Sequence, residues 1–107
     1  METPQEPNLT GRVALVTGAG VGIGRAIARA LARAGAFVGV HYHRSQEEAR
    51  RTLAEIRESG GQGVGLQADL ADPEQARSLV GRLVEQSGRL EILVNNAGSP
   101  VQRSRIE

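Results

Sequence analysis

The chain has 107 residues, which suits one domain with a core near the small end of the usual range, and its 13 basic residues against 12 acidic ones leave a net charge of +1. That balance carries no general pull toward nucleic acid or an anionic membrane, and no apolar run is long enough to span a bilayer. Every basic residue is Arg, and the lack of Cys excludes disulfides and thiolate metal sites.

Residues 1–10, METPQEPNLT, are polar, contain prolines and differ from a secretory signal; they read as a disordered lead-in to a cytoplasmic protein. RVALVT (12–17) is a short Val-rich run with the length and flanks of a buried strand. GRAIARALARAG (24–35) has Ala and Leu at helical spacing, closed by Gly35 at a C′ position. AFVGVHY (36–42) is a second strand. SQEEARRTLAEIRESGG (45–61) is a second helix, with Ser45 and Glu48 at capping-box spacing and Gly60 at the exit.

GVGLQA (63–68) reads as a third strand, and DPEQARSLVGRLVEQSG (72–88) as a third helix with Asp72 at the N-cap, Pro73 in the first turn and Gly88 at the end. LEILVN (90–95) is a fourth strand. Strands alternating with helices predict parallel pairing through right-handed crossovers, and apolar strands covered on both faces predict a doubly wound α/β sheet.

TGAGVGIG (17–24) lies between the first strand and the first helix, where helix N–H groups and the helix dipole favour a phosphate. Gly18 permits a tight turn, Gly22 removes bulk where phosphates approach, and Gly24 lets the helix pack closely on the strand. The competing reading is an ordinary glycine-rich turn. The spacing is not G-x-G-x-x-G but T-G-x-x-x-G-x-G.

Two further motifs stand at strand ends: ADL (68–70) and NNAG (95–98). With the glycine loop they make the chain, from about Arg12 onward, resemble the short-chain dehydrogenase/reductase family, in a branch like the 3-oxoacyl-carrier-protein reductases. The resemblance implies a Rossmann-like doubly wound parallel sheet truncated after its fourth strand, βαβαβαβ. Residues 11–98 would form the cofactor-binding half and 99–107 a truncated loop or tail. It implies a dinucleotide whose pyrophosphate meets the loop Gly18, Ala19, Gly20, Val21, Gly22, Ile23 and Gly24. Asp69 and Leu70 would bracket the adenine, and Asn96, Ala97 and Gly98 would line the nicotinamide side. Asp69 competes with a turn or capping role, but Asp72 holds the better capping position.

NAD users place a carboxylate about 20 residues after the glycines to accept from the ribose 2′-OH. The matching stretch here, GVHYHRSQEE (39–48), has no acid at the strand end and offers Arg44 and Ser45 instead. A guanidinium makes paired, charge-assisted hydrogen bonds to a 2′-phosphate, so NADP(H) is expected over NAD(H), with Arg44 the discriminator and His43 lining the site. The bland alternative is a solvated Arg44 beside a capping Ser45. A zinc site on His41 and His43 is rejected for want of a third ligand, so no metal is expected.

Family members transfer a hydride using a Tyr, a Lys and a Ser that lie beyond the fourth strand. This chain has no Lys and its single Tyr is Tyr42, so no catalytic residue is assigned. The expected function is therefore the NADP(H)-binding half of a short-chain reductase. The alternative is a non-catalytic NADP(H)-binding module completed by a partner chain. A methyltransferase or nucleotide-sugar epimerase fits the T-G-x-x-x-G-x-G spacing and NNAG poorly. Neither nucleic acid nor membrane is an expected partner. Ending at the fourth strand would expose a hydrophobic edge capable of self-association.

Overall fold

A computed structural model describes residues 8–96. The strands are β1 (Val13–Val16), β2 (Phe37–Tyr42), β3 (Gln62–Gln67) and β4 (Ile92–Val94), and the helices are α1 (Gly22–Arg33), α2 (Gln46–Glu58) and α3 (Pro73–Ser87). The strands form one sheet in the order β3-β2-β1-β4, and every neighbouring pair is parallel. This is the parallel α/β arrangement that the alternating pattern predicts, in the Rossmann-like form that the resemblance implies. The chain steps from β1 through β2 to β3 on one side and then returns to place β4 on the other side of β1. That reversal places a topological switch point at the carboxyl ends of β1 and β4, the place where open α/β sheets take ligands.

Side chains of β1 alternate between two cores. Ala14 and Val16 join Val38 and Val40 of β2 under α1 and α2, with Ala28, Ala32, Ala49, Leu53 and Ile56. Val13 and Leu15 pack on the opposite face with Leu66, Leu79 and Leu83. Because helices cover both faces, all four residues of β1 are buried, which explains its unbroken apolar run. Leu15, Ile56, Leu79 and Leu83 are fully buried, and each such side chain contributes about 1.5–3 kcal/mol.

Local chemistry sets most helix ends. The Asp72 carboxylate accepts from the Glu74 N–H at 2.9 Å with Pro73 following, and Gly88 closes α3 at φ 87°. Gly35 follows α1 at φ 108°. The expected Ser45–Glu48 capping box does not form: Ser45 sits at the N-cap of α2 without a side-chain cap bond. Its φ of −89° and ψ of 57° depart from the extended conformation that aims a cap hydroxyl at the first turn.

Several boundaries move. α1 begins at Gly22 rather than Gly24, which brings two loop glycines into its first turn, and β4 is limited to three residues. Leu9, at the end of the polar lead-in, donates its N–H to the Ala34 carbonyl at 2.7 Å and packs against the α1–α2 core. Among the described residues, β4 is one edge of the sheet, with β3 the other, and Leu93 on β4 is 59% exposed. No helix among them is long and apolar enough to cross a membrane.

Candidate functional site

The glycine loop leaves β1 at Thr17 and reaches α1 at Gly22. Gly18 turns the chain at φ 63° and Gly22 opens the helix at φ 56°, a region that disfavours any side chain. A Cβ on Gly24 would collide with the Gly18 carbonyl, so the close approach at Gly24 is to the loop just past β1, where the sequence reading expects the strand itself. A Cβ on Gly20 would instead meet the Ala49 nitrogen at 3.2 Å and the Ser45 carbonyl at 3.4 Å. Gly20 thus fits the loop against the start of α2.

Not every N–H of the loop is free for a ligand. The Gly18 N–H donates to His41 Nδ1 at 3.0 Å, and the Ala19 N–H donates to the His41 carbonyl at 2.9 Å. The first turn of α1 differs: its N-cap, Val21, is extended and supplies no side-chain cap. A helix leaves its first N–H groups without internal partners. Those of Gly22, Ile23 and Gly24 therefore form the donor set that this loop offers. Val21 and Ile23 beside them are 51% and 72% exposed.

Three polar side chains that sequence reading did not single out for this purpose hold the loop. The Thr17 hydroxyl accepts from the Asn96 N–H at 2.8 Å, joining the ends of β1 and β4. The hydroxyl of Thr52, fully buried in α2, reaches the carbonyls of Ala19 at 3.3 Å and Glu48 at 3.1 Å. His41 is 2% exposed and connects Gly18 to the end of β3, its Nε2 lying 2.9 Å from the Ala68 carbonyl oxygen. Burial holds the His41 imidazole below its ordinary pKa, opposed in part by the Ala68 hydrogen bond and aided by the charges of His43 and Arg82. The only available signal was a polar residue inside an otherwise apolar strand.

Asn96 turns its side chain onto the loop, with Nδ2 donating to the Gly18 carbonyl at 3.2 Å. Asp69 lies at the end of β3, where one carboxylate oxygen accepts from the Ala71 N–H at 3.0 Å and closes a turn. The other oxygen stands 3.9 Å from His43 Nε2. The carboxylate therefore makes the turn that competed with a ligand role and also faces His43. Leu70 packs against the α3-side core. Arg44 is exposed just beyond β2, and Ser45 follows it half-buried. Among the described residues the Arg44 guanidinium has no hydrogen-bond or ion-pair partner. Ala97 and Gly98 lie outside the described residues. His41 and His43 diverge, one into the sheet and one toward Asp69, and no group of His, Cys, Asp or Glu among the described residues gathers as for a metal ion.

Comparison with known proteins bears on the family and the fold. The family profile described as short chain dehydrogenase matches residues 12–107. A short-chain dehydrogenase/reductase homolog of Bacillus subtilis, YusS, is 43% identical over 90 residues, which is 84% of this chain and 83% of that protein. The versicolorin reductase stcU of Emericella nidulans is 45% identical over 98 residues, and the match spans 92% of this chain but 37% of that enzyme. A crystal structure of a short-chain dehydrogenase from Burkholderia cenocepacia in complex with NADP superimposes with a TM-score of 0.82 at 48% identity, over 85% of this chain and 37% of that one. The chain thus spans little more than a third of the length of these two reductase-sized relatives. On its matched motifs, its sheet order and these likenesses, the chain belongs to the short-chain dehydrogenase family.

Proposed function

We propose that this chain is the NADP(H)-binding part of a short-chain reductase. The observation that carries the reading is the uncapped first turn of α1, which follows β1 at the point where the strand order reverses toward β4. The donor set fits a pyrophosphate: N–H groups of Gly22, Ile23 and Gly24 combine with the positive end of the α1 dipole. Nothing stands within 4 Å of where a Gly22 Cβ would be, so bulky oxygens have room there. The partnerless guanidinium of Arg44 suits a 2′-phosphate, and no carboxylate precedes it on β2 to repel one. Ser45, whose hydroxyl does not cap α2, is a second donor beside it. In this reading His43 and Asp69 with Leu70 serve the adenosine end and Asn96 the nicotinamide end.

Bound nicotinamide supplies the hydride of a carbonyl–alcohol interconversion. The chain's own residues bind and orient the dinucleotide, and none of them is assigned to proton transfer. Its likeness to an NADP complex and to a versicolorin reductase supports this reading. Titration with NADPH and NADH tests it. NADPH is expected to bind more tightly, and Arg44→Ala to weaken NADPH about 10- to 100-fold while leaving NADH unchanged, as for loss of one or two charge-assisted hydrogen bonds. Equal affinities in the parent chain would overturn the NADP preference, and binding of neither would overturn the dinucleotide site.

A second reading has a separate chain supply the acid/base group. The chain has no Lys, and its single Tyr, Tyr42, is paired with Gln67 in the sheet, so it supplies no assigned acid/base group under either reading. Intact mass from the natural host decides between them. A mass near 11.3 kDa supports the partner chain, and a clearly larger one supports a single reductase.

A further inference from the structure

His41 is the deepest titratable group of the molecule's ligand-binding end. Each of its ring nitrogens has one partner whose chemistry permits one role. The Gly18 N–H can only donate, so Nδ1 at 3.0 Å must accept. The Ala68 carbonyl can only accept, so Nε2 at 2.9 Å must carry the proton. The two contacts therefore select a neutral ring with one tautomer, spanning from the glycine loop to the end of β3.

The surroundings oppose a second proton. From α3 comes Arg82, whose Nη2 donates to the Gln67 carbonyl at 2.7 Å. The continuation of β2 brings His43, and Asp69, after β3, directs its carboxylate at His43 3.9 Å away. β1, β3 and the glycine loop contain no charged residue. No carboxylate is bonded to the His41 ring, and a proton on Nδ1 would set one N–H against another at Gly18.

We propose that His41 is a positioning residue of the glycine loop, which in its neutral form holds the Gly18 peptide inward and on protonation releases it, loosening the phosphate-binding turn. The phosphate part of this statement rests on the dinucleotide reading above; the link between His41 and Gly18 does not. A neutral ring absorbs the Gly18 N–H, and Asn96 absorbs the Gly18 carbonyl. The first polar groups of the loop are thereby fixed, and the later N–H groups at the start of α1 face outward. Releasing Gly18 frees the turn at its stem, so affinity for a phosphate ligand falls as the pH drops.

The substitutions His41→Asn and His41→Gln separate positioning from bulk. An Asn side chain puts an amide oxygen near the place of Nδ1 and can accept from Gly18 at any pH. A Gln reaches toward Ala68 instead. The whole 107-residue chain, labelled with nitrogen-15, is followed by NMR between pH 7.5 and 5 in all three forms. Ring nitrogen shifts report the tautomer, and amide exchange reports protection at Gly18, with Val16 in β1 as the internal control. In the parent, the proton is expected on Nε2, and protection at Gly18 is expected to fall about tenfold as His41 titrates, as for the loss of one hydrogen bond. Val16 should not follow. His41→Asn should keep Gly18 protected across the range, and His41→Gln should leave it unprotected throughout.

A proton on Nδ1, protection at Gly18 that is flat through the His41 titration, or an equal loss in His41→Asn would overturn the proposal. NADPH titrations on the same samples test the ligand part. The 2′-phosphate itself gains a proton near pH 6, so the comparison is between parent and His41→Asn. The parent should lose several-fold more affinity between pH 7.5 and 5. Equal losses would overturn the effect on the ligand. Failure of NADPH to bind at pH 7.5 would overturn the dinucleotide reading, while the Gly18 data would still decide the His41 link.

Discussion

A Cβ added to Gly24 would run into the carbonyl oxygen of Gly18 and stand 2.6 Å from Nδ2 of Asn96. The neighbour it meets is backbone, which cannot rotate away as a side-chain tip can. Gly24→Ala is therefore expected to cost about 1–3 kcal/mol, the range for forced overpacking. Gly81, within α3, has nothing within 4 Å of its Cβ position. Gly81→Ala should stabilise by about 0.5–1 kcal/mol, because Ala loses less backbone entropy in a helix. Urea unfolding of the two variants should give shifts of opposite sign.

Thr52 anchors α2 to the loop through the carbonyls of Ala19 and Gly20. Thr52→Val keeps the shape and removes the hydroxyl. A loss of about 1 kcal/mol is expected, near the net value of a buried hydrogen bond. The midpoint of chemical denaturation measures it, and loosening should also appear as faster amide exchange in the loop. A variant as stable as the parent would show that the hydroxyl does not hold the loop.

Stability should respond to acid in a window set by His41. Its folded pKa is depressed, so the unfolded chain takes up the proton first as the pH falls. The contribution of the neutral ring is complete above about pH 6.5, the ordinary imidazole value, and is lost as the pH falls toward the folded value. The slope is at most about 1.4 kcal/mol per pH unit for one proton. Glu55 is also held below its ordinary range, chiefly by its hydrogen bond from Arg25, so its contribution is lost only at lower pH, below the carboxylate value. Unfolding free energies measured from pH 7.5 to 5 should decline in the parent and lose most of that decline in His41→Asn.

Leu93 presents an exposed apolar side chain on β4, one edge of the described sheet. Edge strands with unpaired backbone and apolar surface invite pairing with another chain. Self-association of the isolated chain is expected to rise with concentration, and Leu93→Arg to shift it toward monomer. Sedimentation of both forms over a hundredfold concentration range tests this. Indistinguishable profiles would remove β4 as the contact.

Most of the architecture was legible from local chemistry. Asp72 followed by Pro73 marks a helix start, Gly35 and Gly88 mark helix exits, and the short apolar runs between them mark covered strands. Each signal acts within a few residues, so no tertiary information was needed to find it. The Ser45–Glu48 spacing failed because a capping box also needs an extended backbone at the cap, and Ser45 does not have one. The start of α1 moved for a related reason. Gly22 has no helical preference of its own, and α1 starts there with Gly22 at a positive φ that marks a turn rather than a helix in the sequence.

The sequence by itself determined where a glycine turn would stand: after the first strand and before the first helix, with glycines where side chains would be excluded. Only the tertiary structure decided which loop groups remain for a ligand. Gly18 and Ala19 spend their N–H groups on His41, 23 residues from Gly18 in the chain, and Asn96 occupies the Gly18 carbonyl from 78 residues away. Such partnerships depend on strands β2 and β4 being set on either side of β1. Residue spacing along the chain has no information about that placement, because it is fixed by crossover connections and by the burial of both sheet faces.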